Sequence, residues 1–198
     1  MLSASCSGTG PFFYQWKLNG NNLPGATNST LTLTNVQPGD GGSYNVVAWS
    51  STGLVESEVA LVRLQLPALA FHDAFAAAGS LMTASGTGAS SNTMATVEPG
   101  ESRHAGKRGG KSIWIKWRAP ATGIATVGTA GSSFDTLLAV YTGDSVTNVT
   151  EVASSDDKGG FLTSKVRFNA HSNTIYRIVV DGFGGTSGEV VLNWDLEV

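Results

Sequence analysis

The chain has 198 residues, 41% of them hydrophobic and 14% charged, with a formal net charge of -3. This is enough to bury one or two ordinary cores of about 100 residues each, and the weakly acidic balance lacks the gathered Lys and Arg that nucleic-acid binding needs. The single cysteine, Cys6, excludes an intrachain disulfide framework, and no run approaches the roughly 18 apolar residues of a membrane helix.

The 25 glycines, with Ser and Thr crowding the stretches between apolar runs, predict a turn-rich all-β chain in which helix is scarce. Met1-Leu2-Ser3 has no basic stretch followed by an apolar one, so no secretory leader is read there. From Ser3 to Leu64, strand-length runs alternate, as in Leu31-Thr32-Leu33-Thr34 and Tyr44-Asn45-Val46-Val47-Ala48, where Tyr44, Val46 and Ala48 share one face. Gly20-Asn21-Asn22 and Leu23-Pro24-Gly25 supply turns. Asn28-Ser29-Thr30 and Asn148-Val149-Thr150 match the glycosylation pattern, about as often as chance allows in a chain so rich in Ser and Thr.

Cys6, Tyr14-Gln15-Trp16-Lys17 with its Asn19-Gly20 turn, Leu31-x-Leu33, Asp40-x-Gly42-x-Tyr44 and Thr52-Gly53 together resemble the I-set-like immunoglobulin domains of bacterial surface proteins and of animals. The resemblance implies that Trp16 is the core tryptophan and Tyr44 the corner tyrosine whose hydroxyl ties back to backbone. Val46 stands where the family's second disulfide cysteine would sit, so Cys6 is expected as a small buried hydrophobe beside Trp16, Tyr44 and Val46; a reactive or intermolecular thiol is the alternative. Almost nothing precedes Cys6, so the sandwich's first strand is expected to be missing or supplied from elsewhere, leaving an unpaired edge. Residues 1–65 are read as this domain, and 66–70, with Pro67, as a short stiff linker.

Residues 71–198 are read as the second domain. His72 to Ala78 is the one candidate helical turn, ended by Gly79, and Ser85 to Asn92 reads as a surface loop. Strands are expected at Ser112–Arg118, Gly123–Gly128, Thr136–Thr142, Val149–Ser154, Ser164–Asn169, Thr174–Asp181 and Glu189–Val198, the last with a polar outer face. Gly86-Thr87-Gly88 and Gly182 to Gly185 read as β-turns. Glu98-Pro99-Gly100-Glu101, Ser112-Ile113-Trp114-x-x-Trp117, Phe134-Asp135-Thr136-Leu137-Leu138 and Val152-Ala153-x-x-Asp156-Asp157 resemble the jelly-roll-like domains of secreted bacterial proteins related to pre-peptidase C-terminal and collagen-binding domains. The resemblance implies secretion and binding without catalysis.

If Thr136–Thr142 and Val149–Ser154 pair as a hairpin, Asp135 and Asp156 face each other at its open end with Asp157 adjacent, a carboxylate set suited to calcium; alternatively they accept backbone N–H bonds at turns. Asp73, Asn92, Glu98 and Glu101 are a second cation candidate, because the collagen-binding relatives hold calcium in this part of the domain. Lys107, Arg108 and Lys111 depart from that pattern, and Glu98 and Glu101 are alternatively paired with surface cations. His72, His104 and His171 have no zinc spacing, and no nucleophile elbow is present. Parity places Ile113, Ile115 and Trp117 on one strand face and Trp114, Lys116 and Arg118 on the other, where an outward indole beside cations suits a sugar ring or peptide side chain. Trp49, Tyr141, Phe161 and Phe183 are further surface candidates, and for each of these aromatics, Trp114 included, packing against a loop or the neighbouring domain is the alternative.

The expectation is therefore two tandem antiparallel β-sandwiches, immunoglobulin-like and then jelly-roll-like, from a secreted or surface-attached bacterial multidomain protein. Its role is structural or adhesive, toward extracellular polymer or protein or neighbouring copies, with calcium as the one cofactor considered. The rival reading is a carbohydrate- or fibrous-protein-binding accessory module of an extracellular hydrolase.

Overall fold

Alternating apolar residues between frequent turns produce a chain that is 49% strand and 6% short 3-10 turn. The computed structural model describes residues 1–34, 36, 38–63, 65–158, 160 and 162–198. It separates into two compact units, Met1–Gln65 and Leu66–Val198.

The first unit contains β1 (Leu2–Ser3), β2 (Phe13–Leu18), β3 (Asn21–Asn22), β4 (Thr30–Leu31), β5 (Gly42–Ser50), β6 (Gly53–Glu56) and β7 (Ala60–Val62). The sheet runs β3-β2-β5-β6, with β7 also pairing β5, and β1 pairs β4 apart from it. Asn19 and Gly20 take φ of 50° and 81°, the positive values that a tight turn between β2 and β3 requires. On β5 the alternation buries Tyr44, Val46 and Ala48 against Trp16. The Trp16 Nε1–H donates to the Asn28 carbonyl at 2.9 Å, and the Tyr44 hydroxyl donates to the Asp40 carbonyl at 2.7 Å, four residues upstream. Tyr44→Phe removes that bond from an almost fully buried position, so the first unit should lose about 1 kcal/mol, read as a lower urea midpoint at unchanged slope.

Two expectations fail in this unit. Leu31-Thr32-Leu33-Thr34 yields only the two-residue β4, paired as Leu2↔Leu31 and Ser3↔Thr30. Cys6 lies outside any strand and is only half-buried, because a ladder two residues long on each side does not close over it. Leu64, the end of the stretch read as alternating strand-length runs, falls outside the described residues.

The second unit contains β8 (Gly79–Leu81), β9 (Gly86–Ser91), β10 (Ile113–Arg118), β11 (Gly123–Gly128), β12 (Thr136–Ser145), β13 (Asn148–Asp156), β14 (Lys165–Ala170), β15 (Ile175–Gly182) and β16 (Glu189–Glu197). Two sheets, β13-β12-β15-β10-β8 and β14-β11-β16-β9, are antiparallel except where β8 runs parallel to β10. Ile115, Trp117, Leu138, Val140, Ile178 and Val180 of the first sheet and Val127, Phe168, Leu192 and Trp194 of the second share one core, which makes this unit a β-sandwich.

The glycine-rich stretch read as a loop is strand β9, bonded to β16 along Gly86↔Trp194 and Gly88↔Leu192. A Cβ at Gly86 would collide with the Trp194 indole and one at Gly88 with Leu69, so glycine lets this backbone lie under large side chains. Residues 67–69, read as linker, pair with the same strand: Leu69 N–H donates to Ala89 at 2.8 Å, and Ala89 N–H to Pro67 at 2.9 Å. The predicted helical turn reduces to a 3-10 turn, Phe75–Ala77, with Gly79 opening β8. Likewise Phe183–Gly185 is a 3-10 turn.

The five-stranded sheet is covered on both faces. Phe75, Ala78, Trp114, Ala139, Tyr141 and Val179 form a second apolar cluster, and Leu137 to Tyr141 are all buried without alternation. A strand packed on both sides carries this continuous apolar run.

Candidate functional site

At the open end of the β12–β13 hairpin, the pairing Leu137↔Asp156 brings Asp135, Asp156 and Asp157 together, with one carboxylate oxygen of each within 4.8 Å of the others. Asp135 Oδ1 is buried and has no hydrogen-bond partner. Burial first, then the charges of Asp157 and Asp156, hold the Asp135 carboxyl above the ordinary range, against the opposing pull of Lys107. Asp157, at φ 65°, accepts the Leu162 N–H at 3.2 Å. Lys107 Nζ lies 3.1 Å from Asp156 Oδ2 and 5.7 Å from the centre of the Phe183 ring. One ammonium thus faces three carboxylates, and the orphaned buried oxygen of Asp135 is the feature that a hard oxygen-seeking cation fits. Among the described residues no other group of His, Cys, Asp or Glu gathers in this way.

Lys107 reaches Asp156 because of the turn before it. In the 3-10 turn His104–Gly106, Ala105 and Gly106 take φ of 51° and 69°, which sends His104 inward just before the chain emerges at Lys107. His104 Nε2 is 2.9 Å from Glu101 Oε1 and Nδ1 is 3.0 Å from the Tyr141 hydroxyl. The His104 and Glu101 side chains are only 2% and 1% exposed. His104 thus joins Glu101 through one ring nitrogen and the Tyr141 hydroxyl through the other. Burial, followed by the charges of Glu151 and Glu101, pushes the Tyr141 phenol up, so it stays a neutral hydroxyl. This Glu-His-Tyr relay has the composition of acid–base machinery, yet it is sealed against Trp114 at 5.3 Å between ring centres. It holds the outer layer onto the sheet.

The second cation candidate does not assemble. Asp73 caps Thr96 through its N–H at 2.6 Å and its hydroxyl at 2.9 Å. Asn92 is fully buried, donating to the Lys111 carbonyl and accepting from Gly188 N–H, both at 2.9 Å. Glu98 accepts the Phe75 N–H at 2.6 Å, and Glu101 accepts the Glu98 N–H at 2.8 Å. Each side chain pins a stretch of the long segment before β10 instead of converging on one point, and these bonds occupy Glu98 and Glu101 in place of the surface ion pairs considered for them.

Trp114 is not an outward platform; the alternative, packing beneath a loop segment, is what the structure has. It is 1% exposed because the segment before β10 lies over it, with His72 bridged to it and Phe75 edge-on at 5.0 Å. Lys116 is half-buried, and the exposed Arg118 donates to the Asn173 carbonyl at 3.2 Å. Tyr141 is buried for the same reason as Trp114, whereas Trp49 and Phe183 are exposed; Phe161 falls outside the described residues. In the first unit, the cross-strand partners Phe13↔Trp49↔Leu54 form an exposed apolar row over β2, β5 and β6, with the two rings stacked at 5.9 Å and 25°.

Sequence reasoning missed Asp181. It is buried and accepts N–H bonds from Gly110, Lys111 and Gly182 at 3.0, 2.7 and 2.7 Å; a Cβ at Gly109 would collide with its carboxylate. The Gly109-Gly110 pair was the available signal, because only a chain without side chains wraps a carboxylate this closely.

No protein-family model matches the chain, and no curated protein matches it.

Proposed function

We propose that the chain is a non-catalytic, structural or adhesive part of a secreted or surface-attached bacterial multidomain protein, built as an immunoglobulin-like sandwich followed by a jelly-roll-like one. The observation that carries this is where the acid–base chemistry lies: the one histidine–carboxylate pair among the described residues is sealed beneath an outer layer at 1–2% exposure, where no substrate reaches. The exposed features are recognition features instead, namely an apolar aromatic row and the edge strand β6, which is exposed along its whole length. Calcium is the cofactor that suits Asp135, Asp156 and Asp157, as a charge-neutralising clasp at the end of the β12–β13 hairpin.

The rival, a carbohydrate-binding accessory module of an extracellular hydrolase, draws on the stacked and exposed Phe13 and Trp49. The full chain is expected to turn over no peptide, ester or glycoside substrate. It is expected to be retained on insoluble polysaccharide or fibrous protein, or to self-associate with concentration in size-exclusion chromatography through β6. Turnover that survives repurification sinks the non-catalytic reading.

A further inference from the structure

We propose that Ser80, Lys116 and Arg177, on the outer face of the five-stranded sheet, bind an oxyanion of an acidic polysaccharide, a carboxylate or a sulfate. The proposal rests on the reading of the chain as a polymer-binding module and names the ligand class.

The three residues stand in one row across adjacent strands. Lys116 is the cross-strand partner of Arg177 on β15 and of Ser80 on β8. Their chain neighbours Trp117, Tyr176 and Leu81 all point into the core between the two sheets, so alternation turns Ser80, Lys116 and Arg177 together onto the other face. With strands about 4.8 Å apart, a hydroxyl, an ammonium and a guanidinium are lined up over about 10 Å. Like charges directly opposite each other on neighbouring strands repel, and among the described residues no carboxylate forms a salt bridge with either cation. The guanidinium is fixed by other means: its Nε–H donates to the Gly143 carbonyl at 3.3 Å, and its central carbon lies 4.3 Å from the centre of the Phe75 ring. Nη1 is left without an acceptor. Asp144 is the acid whose charge acts on Arg177, but it is exposed, where a carboxylate at a distance contributes little. Two half-buried cations side by side, one of them with a spare donor, fit an oxyanion held between them, because charge-assisted bonds replace their repulsion with attraction. Ser80, exposed on the edge strand β8, carries a hydroxyl that accepts as well as donates. It suits the neutral hydroxyl that a uronate or a sulfated sugar presents beside its oxyanion, and that an acidic peptide side chain lacks.

Isothermal titration of the full chain at low ionic strength tests the site. Tetragalacturonate, a sulfated heparin tetrasaccharide, or both are expected to bind with a dissociation constant between about 10 μM and 1 mM, weakening as added salt screens the charges; which of them binds identifies the oxyanion. Neutral maltotetraose is expected not to bind. Lys116→Ala is expected to weaken binding about tenfold while leaving the second unit's melting transition in place, which covers the case in which Arg177→Gln, deprived of its Phe75 contact, fails to fold. Asp144→Asn is expected to strengthen binding about twofold, a gain that a purely structural Arg177 would not give. No binding by either acidic sugar overturns the proposal, as does binding unchanged in a folded Lys116→Ala. Polyglutamate bound as tightly as the acidic sugars overturns the assignment to a sugar. If no acidic sugar binds but the chain is still retained on insoluble polymer or self-associates, this site alone falls; absence of all three removes the wider reading as well.

Discussion

Trp114→Ala is expected to lower the stability of the second unit by about 3–5 kcal/mol, the cost of removing a fully buried aromatic and leaving its cavity. The indole is the centre of the outer layer: Phe75 meets it edge-on at 5.0 Å, His104 at 5.3 Å and Tyr141 at 6.0 Å. Removing it loosens the packing that keeps the Glu101–His104–Tyr141 relay dry, so lost burial and exposed polar groups act together. Trp114→Phe separates these effects. The Trp114 Nε1–H is buried without an acceptor, so phenylalanine keeps most of the ring contact and deletes an unsatisfied donor, and its cost should be well below that of alanine. Urea unfolding followed by circular dichroism checks the order, with the midpoint shifting at constant slope; the thermal shift for alanine is on the order of 10 °C. Equal stability of Trp114→Ala and the parent chain would mean that the outer layer is not packed on the sheet, and would restore Trp114 as a surface residue.

The same residue marks how far the sequence could be read. All seven strands expected in the second unit form, because each carries its own alternation or apolar run. Parity correctly put Ile113, Ile115 and Trp117 on one face of β10 and Trp114, Lys116 and Arg118 on the other. It did not reveal that both faces are covered at Trp114. The unbroken Leu137 to Tyr141 run contained that information, since a half-exposed strand would alternate. Strand β9 was illegible for another reason: its glycines encode nothing about pairing, and its place is defined by Trp194 above it and by β16 beside it. At the carboxylate cluster, hairpin register was enough to bring Asp135 near Asp156. Lys107 was not foreseeable there, because its position depends on two left-handed residues, Ala105 and Gly106, and on His104 finding a partner 37 residues away in Tyr141.

Asp135→Asn is expected to act with opposite signs with and without calcium. In chelator, burial and the neighbouring Asp157 and Asp156 raise the Asp135 carboxyl above its ordinary range, so the native state holds this proton more tightly than the unfolded chain does. Between the ordinary aspartate value, about 4, and the raised native value, the native state carries more bound proton, and stability therefore falls as pH rises through that window. Above it, the ionised Asp135 is a fixed cost to the fold. The asparagine amide carries no charge to be repelled, so Asp135→Asn should raise the second unit's melting temperature at neutral pH, and the advantage should fade as the pH falls through that window and be gone below the ordinary aspartate value. Millimolar calcium reverses the order. A cation among the three carboxylates converts their repulsion into binding energy and stabilises the native state by mass action, about 2.7 kcal/mol at a hundred times the dissociation constant, which the asparagine variant forgoes. Lys107→Ala sharpens the contrast, because it removes the ammonium 3.1 Å from Asp156: it should destabilise the chelated protein and strengthen the calcium response. A mere turn-capping role for Asp135 predicts that the asparagine substitution is neutral or destabilising in both media, and a melting temperature indifferent to calcium in the parent chain leaves Lys107 as the cation that this site was built to hold.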